Sequence, residues 1–370
     1  MNEKHQRDSG KREISVPFGY EDAAGCFRVF ENRFRERGAY FLADLSKRCA
    51  DDTELVELAD QANPGQPYAI MFFGAVHSIL LGNRDDPFAS RFGIGGQLPI
   101  ADDTTFVALK DFCHRRHDEI SAIMKRRTVQ FTQPGRASYV IPLIGHLLRK
   151  GAKEPLSLVE VGCSAGLLTV FDHYYYDFGP LGRLGDPANP HIRVMAFEGN
   201  KPPIPDHMPR ISERFGIDLN PIDPSDPAER HWLEGLMAPE VVDDLSELRG
   251  ALDVRARIAL NTIKGDAMSV VPELLPKLKD TPLVLHSLCL YQWPAALQNK
   301  FHEMLLEASR DRTIYRLAAD RVHNNPARPA HFDVKNMRGM EMFAVTYRDG
   351  KADWEYLASS DRSQVVKWMA

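Results

Sequence analysis

The sequence predicts an α/β chain: a helical N-terminal domain, then a doubly wound sheet that ends in an antiparallel hairpin. Three observations carry that expectation. Up to about residue 150 apolar residues recur at helical spacing, and nothing reads confidently as a strand. Beyond it, short β-branched runs alternate with helical stretches, the mark of parallel strands joined by crossover helices. The last part holds two strands around Arg348-Asp349-Gly350-Lys351, where Asp-Gly favours a tight turn.

The elements follow in order. Residues 1–18 are polar, lack the apolar stretch of a signal peptide, and are expected to form a disordered tail. Residues 19–150 make the helical cap or lid domain. Its helical stretches are "CFRVFENRFRERGAYFLADLSKRCA", "PYAIMFFGAVHSILLG", "FVALKDFCHRRHDEISAIMKRR" and "SYVIPLIGHLLRK". The second is apolar enough to be buried. Residues 151–370 make the α/β domain. Its strands are "LSLVEVG", "RFGIDLNP", "LNTIKGDA", "PLVLHSLCLY" and "TIYRLAAD", closed by the hairpin "MEMFAVTYRDGKADWEYLASS".

Composition narrows the function classes. The 370 residues are 44% apolar and 26% charged, which suits a globular chain of one large domain or two ordinary ones. A net charge of −5 gives no general reason to expect nucleic acid as a partner. No apolar run is long enough to span a membrane, so the cytoplasm is the default location and a small molecule the expected partner. The five cysteines are odd in number and scattered, without C-x-x-C or a Cys/His cluster, so no metal is expected.

The stretch "EVGCSAGLL", residues 160–168, admits two readings. As a G-x-S-x-G nucleophile elbow, Ser164 would attack an ester, with Asp218 or Asp266 and His286 completing a triad. That reading lacks an upstream HGGG-like oxyanion loop, and its serine follows the first strand, not a late one. As a nucleotide-binding turn, Gly162, Ser164 and Gly166 bring backbone N–H groups close to a ligand. Two acidic strand ends then follow in order. Asp218, with Asn220, ends "GIDLN" where a ribose would be held; Asp266, with Ala267, ends "IKGDA" where an adenine amino group would be held. The plain alternative is that both acids cap turns or helices. Glu198 of "VMAFEGN" is a second candidate for the end of strand two. The NAD fingerprint fits poorly, because its glycine spacing differs and Asp218 lies too far on.

These residues resemble the class I S-adenosylmethionine (SAM) methyltransferase fold. "EVGCSAG", "GIDLNP", "GDA" and "LVLHSLCLY" look like its first four motifs, and the hairpin like its last two strands. With "YYYDF" and "PYAIMFFGAVH", the set resembles a bacterial domain-of-unknown-function family with a methyltransferase-like core. Where that family carries T-N-E-V-G-R, this chain has Phe131-Thr132-Gln133-Pro134-Gly135-Arg136. Gly135 and Arg136 match; Phe131, Thr132 and Gln133 depart. In this the chain is similar to the azetidine-2-carboxylate synthases of bacterial natural-product pathways, which cyclise SAM itself.

That resemblance implies SAM as cofactor or substrate and gives the residues provisional roles. Phe131, Tyr175 and Tyr176 are assigned to an aromatic box for the sulfonium, although Tyr174, Tyr175 and Tyr176 could equally pack in the core. Arg136 would clamp the SAM carboxylate, or make a surface ion pair. His286 would accept a proton, or be a satisfied, half-buried histidine. Ser287 lines the same strand end, with Tyr291 and Trp293 on the loop beyond it. Glu160 orients the first turn or the amine of SAM, and Cys163 is a small filler. Three functions follow: cyclisation of SAM with release of methylthioadenosine, methyl transfer to a small acceptor, and SAM binding without catalysis.

Overall fold

The computed structural model describes residues 20–130, 132–322, 325–330, 339–360 and 365–370. The predicted tail and Phe131 lie outside them. The chain forms two compact units: residues up to 130 together with 231–245, and residues 131–230 together with 246–370.

The first unit is helical: α1 (Ala23–Arg35), α2 (Tyr40–Cys49), α3 (Thr53–Ala59), α4 (Tyr68–Gly82), α5 (Asp103–Arg115) and α6 (His117–Arg126). The first long helical stretch is thus two helices, broken at Gly38, whose φ of 74° suits glycine. Aspartates start three of the helices. Asp22, Asp52 and Asp102 accept from the N–H groups of Gly25, Leu55 and Thr105. Helix α4 is buried from Ala69 to Leu81, its Phe72 and Phe73 packed edge-on to Phe27.

The second unit opens with α7 (Ala137–Arg149), which the sequence pattern had counted with the N-terminal helices. Strand β1 (Leu156–Val161) follows, then the short β2 (Tyr176–Asp177), β3 (Arg183–Leu184) and β4 (Ala196–Gly199). Next come β5 (Ile211–Asp218), then α8 (Pro227–Gly235) and α9 (Val242–Arg257), which each run across the boundary between the units, then β6 (Asn261–Lys264), α10 (Ala267–Leu274) and β7 (Thr281–Ser287). The chain closes with α11 (Ala295–Ala308), β8 (Ile314–Asp320), β9 (Met340–Arg348), β10 (Lys351–Ser360) and β11 (Val365–Trp368). The sheet order is β4-β11-β10-β9-β8-β7-β1-β5-β6. From β6 to β8 the strands are parallel; β9 and β10 add antiparallel, turning at Asp349 and Gly350. This is the predicted mixed α/β class with its C-terminal hairpin.

Two details correct the expected connections. Glu198 does not end strand two. It lies on β4, paired with β11 at the far edge, whereas β5 pairs with β1 and ends at Asp218. The stretch after Gly166 is not an α-helix either. Leu168–His173 is a kinked 3-10 segment, so no helix N-terminus faces the first turn.

One face of the sheet packs α10 and α11 against Val159, Val161, Val284, Ala318, Phe343 and Val345. Strand alternation points Ser287 to the face opposite His286. There Tyr139 of α7 meets it, 3.0 Å between Tyr139 Oη and Ser287 Oγ.

Residues 231–245 leave the second unit and complete the first. Gly235 sits where a methyl group would lie 2.7 Å from the Gly74 carbonyl of α4, so the two backbones touch through glycines. Trp232 donates from Nε1 to the Thr128 carbonyl. Among the described residues no helix is long and apolar enough to cross a membrane.

Candidate functional site

The parallel strands change direction of winding between β1 and β7: β5 lies on one side of β1 and β7 on the other. Ligands of open α/β sheets bind at the carboxyl ends of strands flanking such a point. The residues there are unusual. Ser164 after β1 and Leu288 after β7 both hold positive φ, 51° and 49°, without being glycine. Such strain persists where surroundings enforce it, and it clusters at binding sites.

The first turn is built tightly. Gly162 has φ 75°, and a Cβ there would stand 2.3 Å from Cys289 Sγ of the neighbouring loop. Cys163 fits over Gly216 of β5, as a small filler should: a Cβ on Gly216 would lie 2.8 Å from Cys163 Sγ. Asp218 then ties the turn down. Its Oδ2 accepts from Ser164 N–H and its Oδ1 from Asn220 N–H, each at 2.8 Å.

These bonds correct one expectation. The N–H groups of Gly162, Cys163, Ser164 and Gly166 do not point to a ligand. They are spent on the carbonyls of Ile217 and Cys163 and on Asp218. The turn therefore offers no ring of donors; its glycines admit Cys289, Leu260 and Arg255 of the chain itself. Asp218 retains acceptor capacity, since a carboxylate can take about four hydrogen bonds.

Three buried polar atoms around the turn have no partner among the described residues: Glu160 Oε2, Ser164 Oγ and Arg255 Nε. An orphaned buried group costs roughly 1–3 kcal/mol. Glu160, at the end of β1, is 3% exposed. Burial pushes its carboxyl well above the ordinary value; Arg136 opposes that, and Asp218 adds to it. Arg255 of α9 spends Nη1 on the Ile258 carbonyl and Nη2 on Thr262, and its Nε would lie 3.0 Å from a Cβ on Gly166. Arg136, half-buried before α7, acts electrostatically on Glu160, Tyr139 and Tyr291 and makes no ion pair among the described residues.

The other assigned residues divide. Ser287 is at the site, bonded to Tyr139. Asp266 is exposed and caps α10 by accepting from Met268 N–H, so the capping alternative holds there, and Ala267 opens that helix. Tyr176 is wholly buried, its hydroxyl donating to the Phe171 carbonyl, and Tyr174 likewise donates to that of Leu167. Both are core residues, because the 3-10 segment turns them inward. Tyr175 is partly exposed and lies against His191. No aromatic box is assembled from the described residues proposed for it.

His286 is not a proton acceptor either. It is fully buried on β7. Its Nδ1 lies 2.9 Å from Asp320 Oδ2, and its Nε2 accepts from Arg316 Nε at 3.0 Å. Burial, then the Arg316 charge, lowers it to about 4, so it stays neutral with both ring nitrogens occupied. Its role is structural: it braces Asp320, which accepts from the N–H groups of Cys289, Leu290, Tyr291 and Arg321.

That network predicts a pH effect. The unfolded chain takes up a proton at His286 near pH 6.5, and the native chain only near pH 4. Stability therefore falls as pH drops through this window, by roughly 3 kcal/mol from His286 alone. Denaturant midpoints measured between pH 7 and pH 4 check it. His286→Gln keeps one donor and one acceptor but does not titrate, and its profile should be flatter. An equally steep profile would contradict the assignment.

Sequence reasoning missed Tyr139, Arg255, Arg316 and Asp320. Only Asp320 left a signal, an acid ending the strand "TIYRLAAD" as Asp218 ends its own.

A family model described as an uncharacterized protein conserved in bacteria (DUF2332) matches residues 25–368. No curated protein and no solved structure matches the chain.

Proposed function

We propose, for a chain that belongs to the DUF2332 family, that it binds SAM at the carboxyl ends of β1, β5 and β7 and cyclises it to azetidine-2-carboxylate, releasing methylthioadenosine. One observation carries the reading. Glu160 is a buried carboxyl with one oxygen unpartnered among the described residues, beside a glycine turn and within electrostatic reach of Arg136. The glycines of the turn let Cys289, Leu260 and Arg255 pack directly on its backbone, and this brings Arg255 Nε, without a partner among the described residues, to the same turn.

When bound, SAM supplies a sulfonium whose γ-carbon its own amine can attack. The chain's part is to hold the ligand and move one proton. Arg136 pairs with the carboxylate of the aminobutyrate arm. Asp218 accepts from the ribose with its remaining lone pairs. Glu160 accepts the proton of the α-ammonium. An α-ammonium ordinarily titrates at about 7.7–8.0, so a carboxyl raised by burial is a better-matched acceptor than an ordinary one. Orienting the arm for ring closure lowers the barrier further.

Methyl transfer to a small acceptor is the second reading. The burial of Tyr174 and Tyr176 favours it, since fewer aromatic faces are left to shield the methyl group. The deciding experiment incubates the purified protein with SAM alone and identifies products by mass spectrometry. Methylthioadenosine with azetidine-2-carboxylate, above the uncatalysed background, is expected. Intact SAM would reject cyclisation and leave a methyltransferase or a binder.

A further inference from the structure

A cavity lies on the α11 face of the sheet, apart from the candidate site. Its volume is about 380 Å³, and Gln298, His302, Arg316, Asn325 and Trp354 are among its lining residues. Its size falls at the lower end of small-molecule sites.

Arg316 is the unusual member. It is 1% exposed, and its guanidinium stands 5.5–5.8 Å from the ring centres of Phe301, Phe343 and Trp354. Buried charges are normally paired. Here every direct partner among the described residues is neutral. Nε donates to His286, Nη1 donates to Tyr347 Oη at 3.3 Å, and Nη2 has no acceptor among them. The nearest acid in the network, Asp320, lies behind His286 and is occupied by that ring and four backbone N–H groups. A guanidinium has five donors in a fixed plane, so its spare edge suits a planar acceptor.

We infer that this cavity binds a small aromatic carboxylate, its carboxylate taking the Arg316 Nη2 protons and its ring lying against Trp354. The polar neighbours are amides and an imidazole, Gln298, Asn299, Asn325 and His302. Of the acids around them, Glu341 is paired with Arg328 at 2.6 Å, and Glu303 acts electrostatically on His302. The aromatic cage explains why arginine stands here and not lysine: a flat cation can sit between rings and still present an edge.

The site also has a route to the first one. Arg316 holds His286, His286 holds Asp320, and Asp320 holds the N–H groups of the loop from Cys289 to Tyr291. A carboxylate on Arg316 therefore acts on the chain of bonds that fixes that loop.

The test uses benzoate as the probe, with benzamide as its neutral isostere, on the full chain without SAM. Ligand-observed NMR titration should give benzoate a Kd on the order of 1 mM. Benzamide should bind at least about tenfold more weakly, since the acceptor is then uncharged. Arg316→Met should lose benzoate but threatens the buried network. A second variant avoids that: Asn299→Trp, at an exposed position of the lining, fills the cavity and should abolish binding while cooperative unfolding is retained. Equal binding of the two probes, benzoate binding that survives Asn299→Trp, or no saturation below about 20 mM would each overturn the inference. Since no sample contains SAM, a negative result leaves the proposed reaction untouched.

Discussion

Glu160→Gln is expected to reduce SAM turnover by roughly 100-fold or more, the usual worth of a positioned proton acceptor. The amide matches the carboxyl in size but cannot take a proton. The wild-type protein should itself show an acid limb in that turnover, because Glu160 must be ionised to act. Its rate should rise with pH through a value well above the ordinary carboxylate range, since burial raises Glu160. Stability should move the other way. Between the ordinary and the raised value, the native chain holds the Glu160 proton while the unfolded chain has lost it. The native chain then binds more protons, so this residue lowers stability as pH rises. Glu160→Gln should therefore melt higher than wild type at neutral pH while losing turnover. A variant that keeps its rate, or keeps the acid limb, would remove Glu160 from the chemistry. A variant that loses rate and also melts lower would point to a damaged turn.

Gly162→Ala should cost about 2–5 kcal/mol of stability and abolish detectable SAM binding. Two terms add. The residue holds φ 75°, which L-residues adopt at a cost of roughly 1–2 kcal/mol. The new methyl group would also stand 2.3 Å from Cys289 Sγ and 2.8 Å from Cys289 Cβ, too close on both counts for a short side chain to step aside. Gly38→Ala separates the terms. Its φ is 74°, but nothing lies within 4 Å of the added carbon, so only the backbone cost applies there. Denaturant unfolding of both variants measures the difference, and calorimetry measures SAM binding. If the two substitutions cost the same, contact with the Cys289 loop is not what demands glycine at 162.

The strands were the most legible part of the chain. β1, β7 and β8 are buried throughout or nearly so, and such strands read as continuous apolar and β-branched runs. The hairpin was legible because Asp349-Gly350 is a local turn signal. β4 and β11 were not. Each is four residues long, and they pair across nearly half the sequence, a contact no local pattern reports. The break between α5 and α6 at Arg116 carries no glycine or proline and was equally hidden.

The site was legible in outline only. Gly162, Ser164 and Asp218 come together as their order in the motifs implied. The surroundings of His286 could not be read, because its partners Asp320 and Arg316 reach it through sheet register, from a strand some thirty residues on. Tyr176 shows the converse. Its place in "YYYDF" suggested a ligand-facing ring, but the 3-10 segment before it sets a direction that spacing alone does not encode.

The loan of residues 231–245 to the first unit bears on how the protein is made. A chain emerging from the ribosome presents residues 20–130 long before the segment that covers Gly74 and bonds Thr128 exists. The first unit cannot finish its core until roughly another hundred residues, β1 to β5 included, have been synthesised. The first unit must therefore wait for residue 245, with one side of α4 kept from other apolar surfaces in the meantime. For the same reason, truncation at residue 130 would leave the core of the first unit incomplete.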